Sequence, residues 1–346
     1  MALRRWRIPH RSQRFALPVA ACMSAVYEPL IDHGDIDGLV RLVDDYCSSR
    51  NWAQLLALRN ACKAATQTGR QLWPVSTLAE YRLALLAPAE TAAQVLGEDA
   101  GRFTIGPLTE VVAQHHQFVD IEPHLPHDPR TSFVAYECAI RGQYIDNEES
   151  LFEALEIPFT IGEWEPQYAL ADYRDNGAQF PSPELPPTSS MFAATPQGSL
   201  VADDASETAF RQLVEPWTSS SNGSVTMFCG NGNEHGALVG QDAQLRELSP
   251  SEGFAWLTWA GASGGAHGRR RGNALGRYNS WWLVATLTKQ IDQWPPAHDH
   301  MSQLASRLRW WWFDAGQSPT GWQLQLLIAD EQQGLSWAIN ARDDVA

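Results

Sequence analysis

The chain has 346 residues, 44 % of them hydrophobic, with 25 Lys and Arg against 40 Asp and Glu for a formal net charge of −15. That length supports about two domains of roughly 100–200 residues each, and the apolar share suffices for real cores. The acidity disfavours non-specific binding to nucleic acid or anionic membrane, and no stretch approaches the roughly 18 continuous apolar residues of a membrane span.

Arg4, Arg5, Arg7, Arg11 and Arg14 precede an apolar run at 15–23 that Pro18 interrupts. A signal or transit segment has this charge order, but the run is short and no small-x-small site follows it. Met23 as the start of the acidic body, with residues 1–22 an upstream extension, accounts for the pattern better. The expected layout is an extension over 1–30, a helical domain over 31–157, a Pro-rich arm over 158–205 and an α+β domain over 206–346.

Helices dominate residues 35–97. Asp35 and Asp37 suit a first turn, and Leu39, Leu42, Val43 and Tyr46 follow at helical spacing. After a break at 48–51, Leu55, Leu56, Leu58, Cys62 and Ala65 mark a second helix ending near Gly69. Pro74 opens a third through Leu78, Tyr81, Leu85 and Leu86, and 89–96 continues beyond Pro88. Such short helices form either a solenoid-like stack or an irregular bundle, and their period matches no named repeat. Residues 107–119 and 131–141 are two more helices, separated by Pro123, Pro126 and Pro129.

Seven prolines punctuate 158–200, and because proline fixes φ and lacks a donor this is extended, loop-like chain. Trp164, Tyr168 and Tyr173 imply that its first part packs onto something. A helix over 206–217, a strand over 224–229, a turn at 230–236 and a strand at 245–248 follow. Ser249, Pro250, Ser251 and Glu252 make a capping box with Pro at the first helical position, starting a helix to about Gly261. Another helix covers about 274–293 and stops before Pro295 and Pro296. The end reads as an antiparallel three-strand meander over 307–313, 322–329 and 335–341.

Five cysteines (Cys22, Cys47, Cys62, Cys138, Cys229) form no CxxC pair. The pattern disfavours a disulfide framework or zinc ribbon and suits free thiols in a reducing compartment. Fifteen Trp point to Trp-rich packing, with an exposed aromatic surface as the alternative.

The one chemically suggestive segment is 261–272, GASGGAHGRRRG. Glycines free backbone amides to face an anion, and Arg pairs bidentately with phosphate or carboxylate. The candidate anion-binding residues are Gly264, Gly265, His267, Arg269, Arg270, Arg271 and Arg277. The segment is no P-loop, since GxxxxGK[ST] is absent. Two other readings compete. Gly261, Gly265, Gly268, Gly272 and Gly276 would form one stripe on a helix and allow close packing, or the arginines pair with the acidic body itself.

Weaker patterns fall to simpler explanations. The Gly/Asn run 229–236 misses the dinucleotide fingerprint and suits a turn. His298, Asp299 and His300 lack a fixed third ligand, even with Asp314 or His267 added, and suit a solvated loop. The pairs His115/His116 and His124/His127 fare no better as metal ligands. Ser263 with His267 is no dyad, and Glu163 and Glu165 read as solvated. No cofactor or metal is expected.

Residues 73–88, 101–113, 164–174, 264–272 and 308–326 together resemble an uncharacterised family of actinobacterial proteins. The likeness covers most of the chain after about residue 35. It implies a bacterial cytosolic setting and lends no catalytic residues. The expected role is a non-enzymatic interaction or scaffold protein with a protein partner. The alternative is an enzyme or binding protein for a phosphate- or carboxylate-bearing ligand, with Arg269, Arg270 and Arg271 as binders and His267 as acid or base. Nucleic-acid binding ranks third, held down by the charge.

Overall fold

A computed structural model describes residues 26–96, 105–146, 151, 154–318 and 321–344. The proposed N-terminal extension therefore lies almost wholly outside the described residues. Two compact units emerge, one ending at Ser76 and the other beginning at Thr77.

In the first unit, α1 (Glu28–His33), α2 (Ile36–Ser48) and α3 (Trp52–Gln67) precede α4 (Trp73–Leu86), which crosses the boundary. The starts of α2 and α3 are fixed locally: Asp35 accepts from the Gly38 amide and Asn51 from the Gln54 amide. Their apolar stripes (Leu39 and Val43; Leu55, Leu58 and Cys62) are fully buried. Arg70 donates to the carbonyls of Ile31 and Asp32 and ties the end of α3 back to α1.

The second unit continues with α5 (Ala89–Ala93), α6 (Leu108–His115), α7 (Phe118–Ile121) and α8 (Pro129–Ile140). The helices after Ser76 thus belong to the same unit as the sheet. The Pro-rich arm is less irregular than expected. It carries a hairpin of β1 (Asp172–Arg174) and β2 (Gly177–Gln179) and two short strands, β3 (Phe192–Ala193) and β4 (Leu200–Val201). Then come α9 (Asp204–Leu213), α10 (Glu215–Ser219), β5 (Ser224–Asn231), β6 (Gln244–Leu248), α11 (Pro250–Ala262), α12 (Asn273–Leu287), α13 (His298–Arg307), β7 (Arg309–Asp314), β8 (Trp322–Asp330) and β9 (Leu335–Asp343).

The molecule is α+β. The expected meander is the centre of a seven-stranded antiparallel sheet in the order β3-β6-β7-β8-β9-β5-β4. Both faces are covered, which explains the unbroken aromatic run of β7. Trp311 and Phe313 pack on one face with Leu327, Ala338 and Ala237. Trp310 and Trp312 point to the other, against Gly253 and Trp256 of α11. Every described Trp is buried or half-buried, so Trp-rich packing is what the sequence bought.

Two local expectations change. The segment 298–307 is a helix rather than a solvated loop, because Met301, Leu304 and Ala305, with Leu308 beyond them, bury one stripe. The glycines of 261–276 do not share a helix, because α11 ends at Ala262 and α12 begins at Asn273. Close approach of the two helices survives at the two helical glycines: a Cβ on Gly276 would lie 2.3 Å from the Thr258 carbonyl oxygen, and one on Gly261 3.1 Å from Gly276 Cα.

Candidate functional site

The loop between α11 and α12 turns Arg270 inward. Arg270 pairs bidentately with Glu110 of α6, Nε to Oε2 at 2.8 Å and Nη2 to Oε1 at 2.8 Å. The same carboxylate accepts the Tyr173 hydroxyl at 2.6 Å and the Asn273 amide at 3.1 Å. The Arg270 guanidinium also lies 4.9 Å from the Phe180 ring centroid. Burial pushes the Glu110 carboxyl up. Arg270, by attraction and hydrogen bonding, overrides that and holds it below the ordinary range.

Arg277, one turn into α12, repeats the arrangement. It meets Glu165 of the arm at 2.7 and 2.8 Å and also donates to the carbonyls of Pro158 and Thr160. Glu165 further accepts the Gly162 amide and the Tyr168 hydroxyl. Both partners of this pair are fully buried at the side chain. Arg271 takes a third direction, donating to the Gly261 carbonyl and to the last carbonyls of α9, at Gln212 and Leu213. A cation at a helix C-terminus satisfies carbonyls that have no partner within the helix.

The loop amides are engaged as well. Gly265 donates to Ser263 Oγ, Ala266 to Asp343 Oδ2 and His267 to Ser221 Oγ. An incoming anion would find the Asp343 carboxylate already in the turn. Gly265, at φ +73°, has to be glycine for two reasons: L side chains avoid that backbone, and a Cβ would lie 2.2 Å from Asp343 Oδ2. Gly272, at φ +93°, is the matching case, with a Cβ position 2.7 Å from Glu137 Oε1.

Glu137 of α8 is the unusual group. Its Oε1 accepts the Ala274 amide, while its buried Oε2 has no hydrogen-bond partner among the described residues. Burial first, and then the Glu110 charge, push its carboxyl up to about 8, so it carries a proton at neutral pH.

Of the predicted residues, Arg270 and Arg277 are buried in ion pairs, Arg271 is half-buried on carbonyls, Gly264 and Gly265 are buried in the loop, and His267 and Arg269 are exposed. Gly264, Gly265 and Arg270 line a cavity of about 230 Å³ with Ile105, Phe180 and Trp322. Small-molecule pockets usually run to roughly 300–1,000 Å³. His267 and Ser263 engage different partners and form no dyad. Among the described residues, no group of three His, Cys, Asp or Glu is placed to hold a metal ion.

Sequence reasoning missed Glu110, Glu137, Asn273 and Asp343, took Tyr173 only as a packing residue, and read Glu165 as solvated, whereas its side chain is fully buried against Arg277. Glu165 had one available signal: it stands between Trp164 and Tyr168, the aromatic residues that implied packing. Cys62 and Cys138 are buried free thiols, both pushed up to about 12 by burial, and so are poor nucleophiles.

A model for a family of unknown function, DUF6183, matches residues 37–343. The chain belongs to the DUF6183 family. No curated protein and no solved structure matches it. The family match spans the arginine loop and every acidic partner just described. Among the described residues, no helix is long and apolar enough to cross a membrane.

Proposed function

We propose that this DUF6183 protein is a non-enzymatic interaction protein of the bacterial, specifically actinobacterial, cytosol. The observation that carries this reading is an open sheet edge. β4 pairs with β5 at Cys229 and Gly230, and among the described residues no strand pairs with 224–228 on that side. The Asn231 amide donates to the Ser199 carbonyl on the β4 side. By strand alternation, Val225 and Met227 turn their backbone groups the same way. Those groups have no backbone partner on that side among the described residues.

β5 carries no charged side chain. Leu200, opposite Gly230, and Phe228 lie diagonally on one face, 48 % and 37 % exposed. An uncharged edge with apolar side chains beside it suits addition of an extended partner segment.

The competing reading, an anion-handling enzyme, is weakened because the buried arginines hold the chain's own carboxylates. The test compares wild type with Val225→Pro. That proline removes an outward amide and leaves the β9 ladder in place. A host protein that copurifies with wild type and is lost with Val225→Pro supports the reading. Saturable stabilisation by phosphate or sulfate, abolished by Arg269→Gln, would overturn it in favour of the anion site.

A further inference from the structure

A cavity of about 440 Å³ opens between α9, α12 and the turn Ile291–Gln293. It lies within the usual size of a small-molecule pocket, roughly 300–1,000 Å³. Ala205 and Ala209 of α9, Trp282 of α12 and Ile291 supply apolar wall. Thr208 and Thr286 also line it, but their hydroxyls donate to carbonyls of their own helices, at Asp204 and Trp282. The charged recognition groups are therefore Lys289 and Asp292. Both side chains are exposed, and among the described residues neither side chain makes a hydrogen bond or an ion pair. Asp203 lies within electrostatic range of Lys289, but its carboxylate is committed to Ser206 and to the Trp337 indole N–H.

Lys289 also occupies an unusual backbone position. The Lys289 amide donates to Thr286 and the Gln290 amide to Ala285, closing α12 with Lys289 left-handed at φ 58°. Helices that end this way ordinarily place glycine there, because a Cβ is penalised in that conformation. The backbone alone would select glycine. The lysine side chain is what the position retains instead, and it lines the cavity.

We infer that this cavity binds a free α-amino acid with a large apolar or aromatic side chain. The carboxylate pairs with Lys289 Nζ and the ammonium with Asp292, while the side chain lies between the α9 alanines and Trp282. A zwitterion uses both unpaired charges and brings no net charge to a body of −15, which would repel a polyanion. The Trp282 ring is held for such contact, stacked on Tyr278 at 22° and edged by Trp294 at 5.1 Å between centroids. The site is separate from the β5 edge and does not depend on the interaction reading.

The test is calorimetric titration of the full chain with L-tryptophan, L-phenylalanine and L-leucine. Phenylpropionate, which lacks the ammonium, and phenethylamine, which lacks the carboxylate, are the comparison ligands. At least one amino acid should bind saturably, and the two single-charge analogues about tenfold more weakly or worse, as expected for loss of a charge-assisted contact. Lys289→Gly should raise the Tm of the ligand-free protein by relieving the left-handed residue, and should weaken amino-acid binding by the same tenfold or more. Asp292→Asn should remove the preference for the amino acid over phenylpropionate. Absence of saturable binding by all three amino acids overturns the inference. So does a Lys289→Gly protein that binds like wild type.

Discussion

The arginine loop and the Lys289 pocket treat their cations in opposite ways. At the loop and the start of α12, Arg270 and Arg277 face Glu110 and Glu165 of the same chain, and two positive-φ glycines sit against carboxylates, Gly265 beside Asp343 and Gly272 beside Glu137. At the pocket, the cation has no ion-pair partner among the described residues, and a lysine stands where the backbone would take glycine. A basic residue's place in the sequence therefore does not name its anion. The neighbouring backbone says more: Gly265 and Gly272 accommodate an internal carboxylate, and at Lys289 a left-handed non-glycine residue lines the cavity.

The largest expected effect separates these two cations. Arg270→Ala leaves a buried carboxylate alone and should cost about 3–5 kcal/mol of unfolding free energy, as should Glu165→Ala with Arg277 left unpaired. Lys289→Ala, which keeps a Cβ at the left-handed position, should stay within about 0.5 kcal/mol. Chemical denaturation of the three variants checks the contrast, and equal losses would erase it.

Next in size is the backbone. Gly272→Ala puts a methyl 2.7 Å from Glu137 Oε1 at φ +93° and should cost about 1–3 kcal/mol, read from the same denaturation curves. A neutral Gly272→Ala would mean that the loop does not need its carboxylate so close.

The third effect concerns Glu137 and depends on pH. Its carboxyl rises from 4.5 to about 8 on folding, so between these values the unfolded chain has released a proton that the folded chain keeps. Stability is thus greatest below pH 4.5 as far as this group is concerned, falls as pH rises toward 8, and levels off above. Glu137→Gln mimics the protonated acid. Because it folds without taking up a proton, it should raise the Tm near pH 7 and flatten the decline between pH 4.5 and 8. An unaltered pH profile would show that Glu137 ionises normally.

Much of the frame was legible because its causes are local. The Ser249/Glu252 capping box, the Asp35 cap and the three-strand meander of 307–341 are set by neighbours a few residues apart, and each appears where expected. The clamp was not legible, because Arg270 and Glu110 are 160 residues apart and Arg277 and Glu165 are 112 apart. Nothing near Glu110 marks it as buried. Its helix gives Val111, Val112 and Ala113 as apolar neighbours, and burial on the remaining side comes from the loop itself. The helix 298–307 was missed for another reason: no side chain caps its start, and its first three residues are polar.

Arg270 of the Gly/Arg loop serves the fold by holding one of the chain's own carboxylates, Glu110. A double-mutant cycle on Arg270→Met and Glu110→Leu, followed by urea denaturation, tests it most directly. Each single variant should lose about 3–5 kcal/mol, and the double variant should lose less than the two together by about 2 kcal/mol or more, because neither charge is left stranded. Losses that simply add, or an Arg270→Met protein as stable as wild type, would contradict the claim and return Arg270 to the service of a ligand.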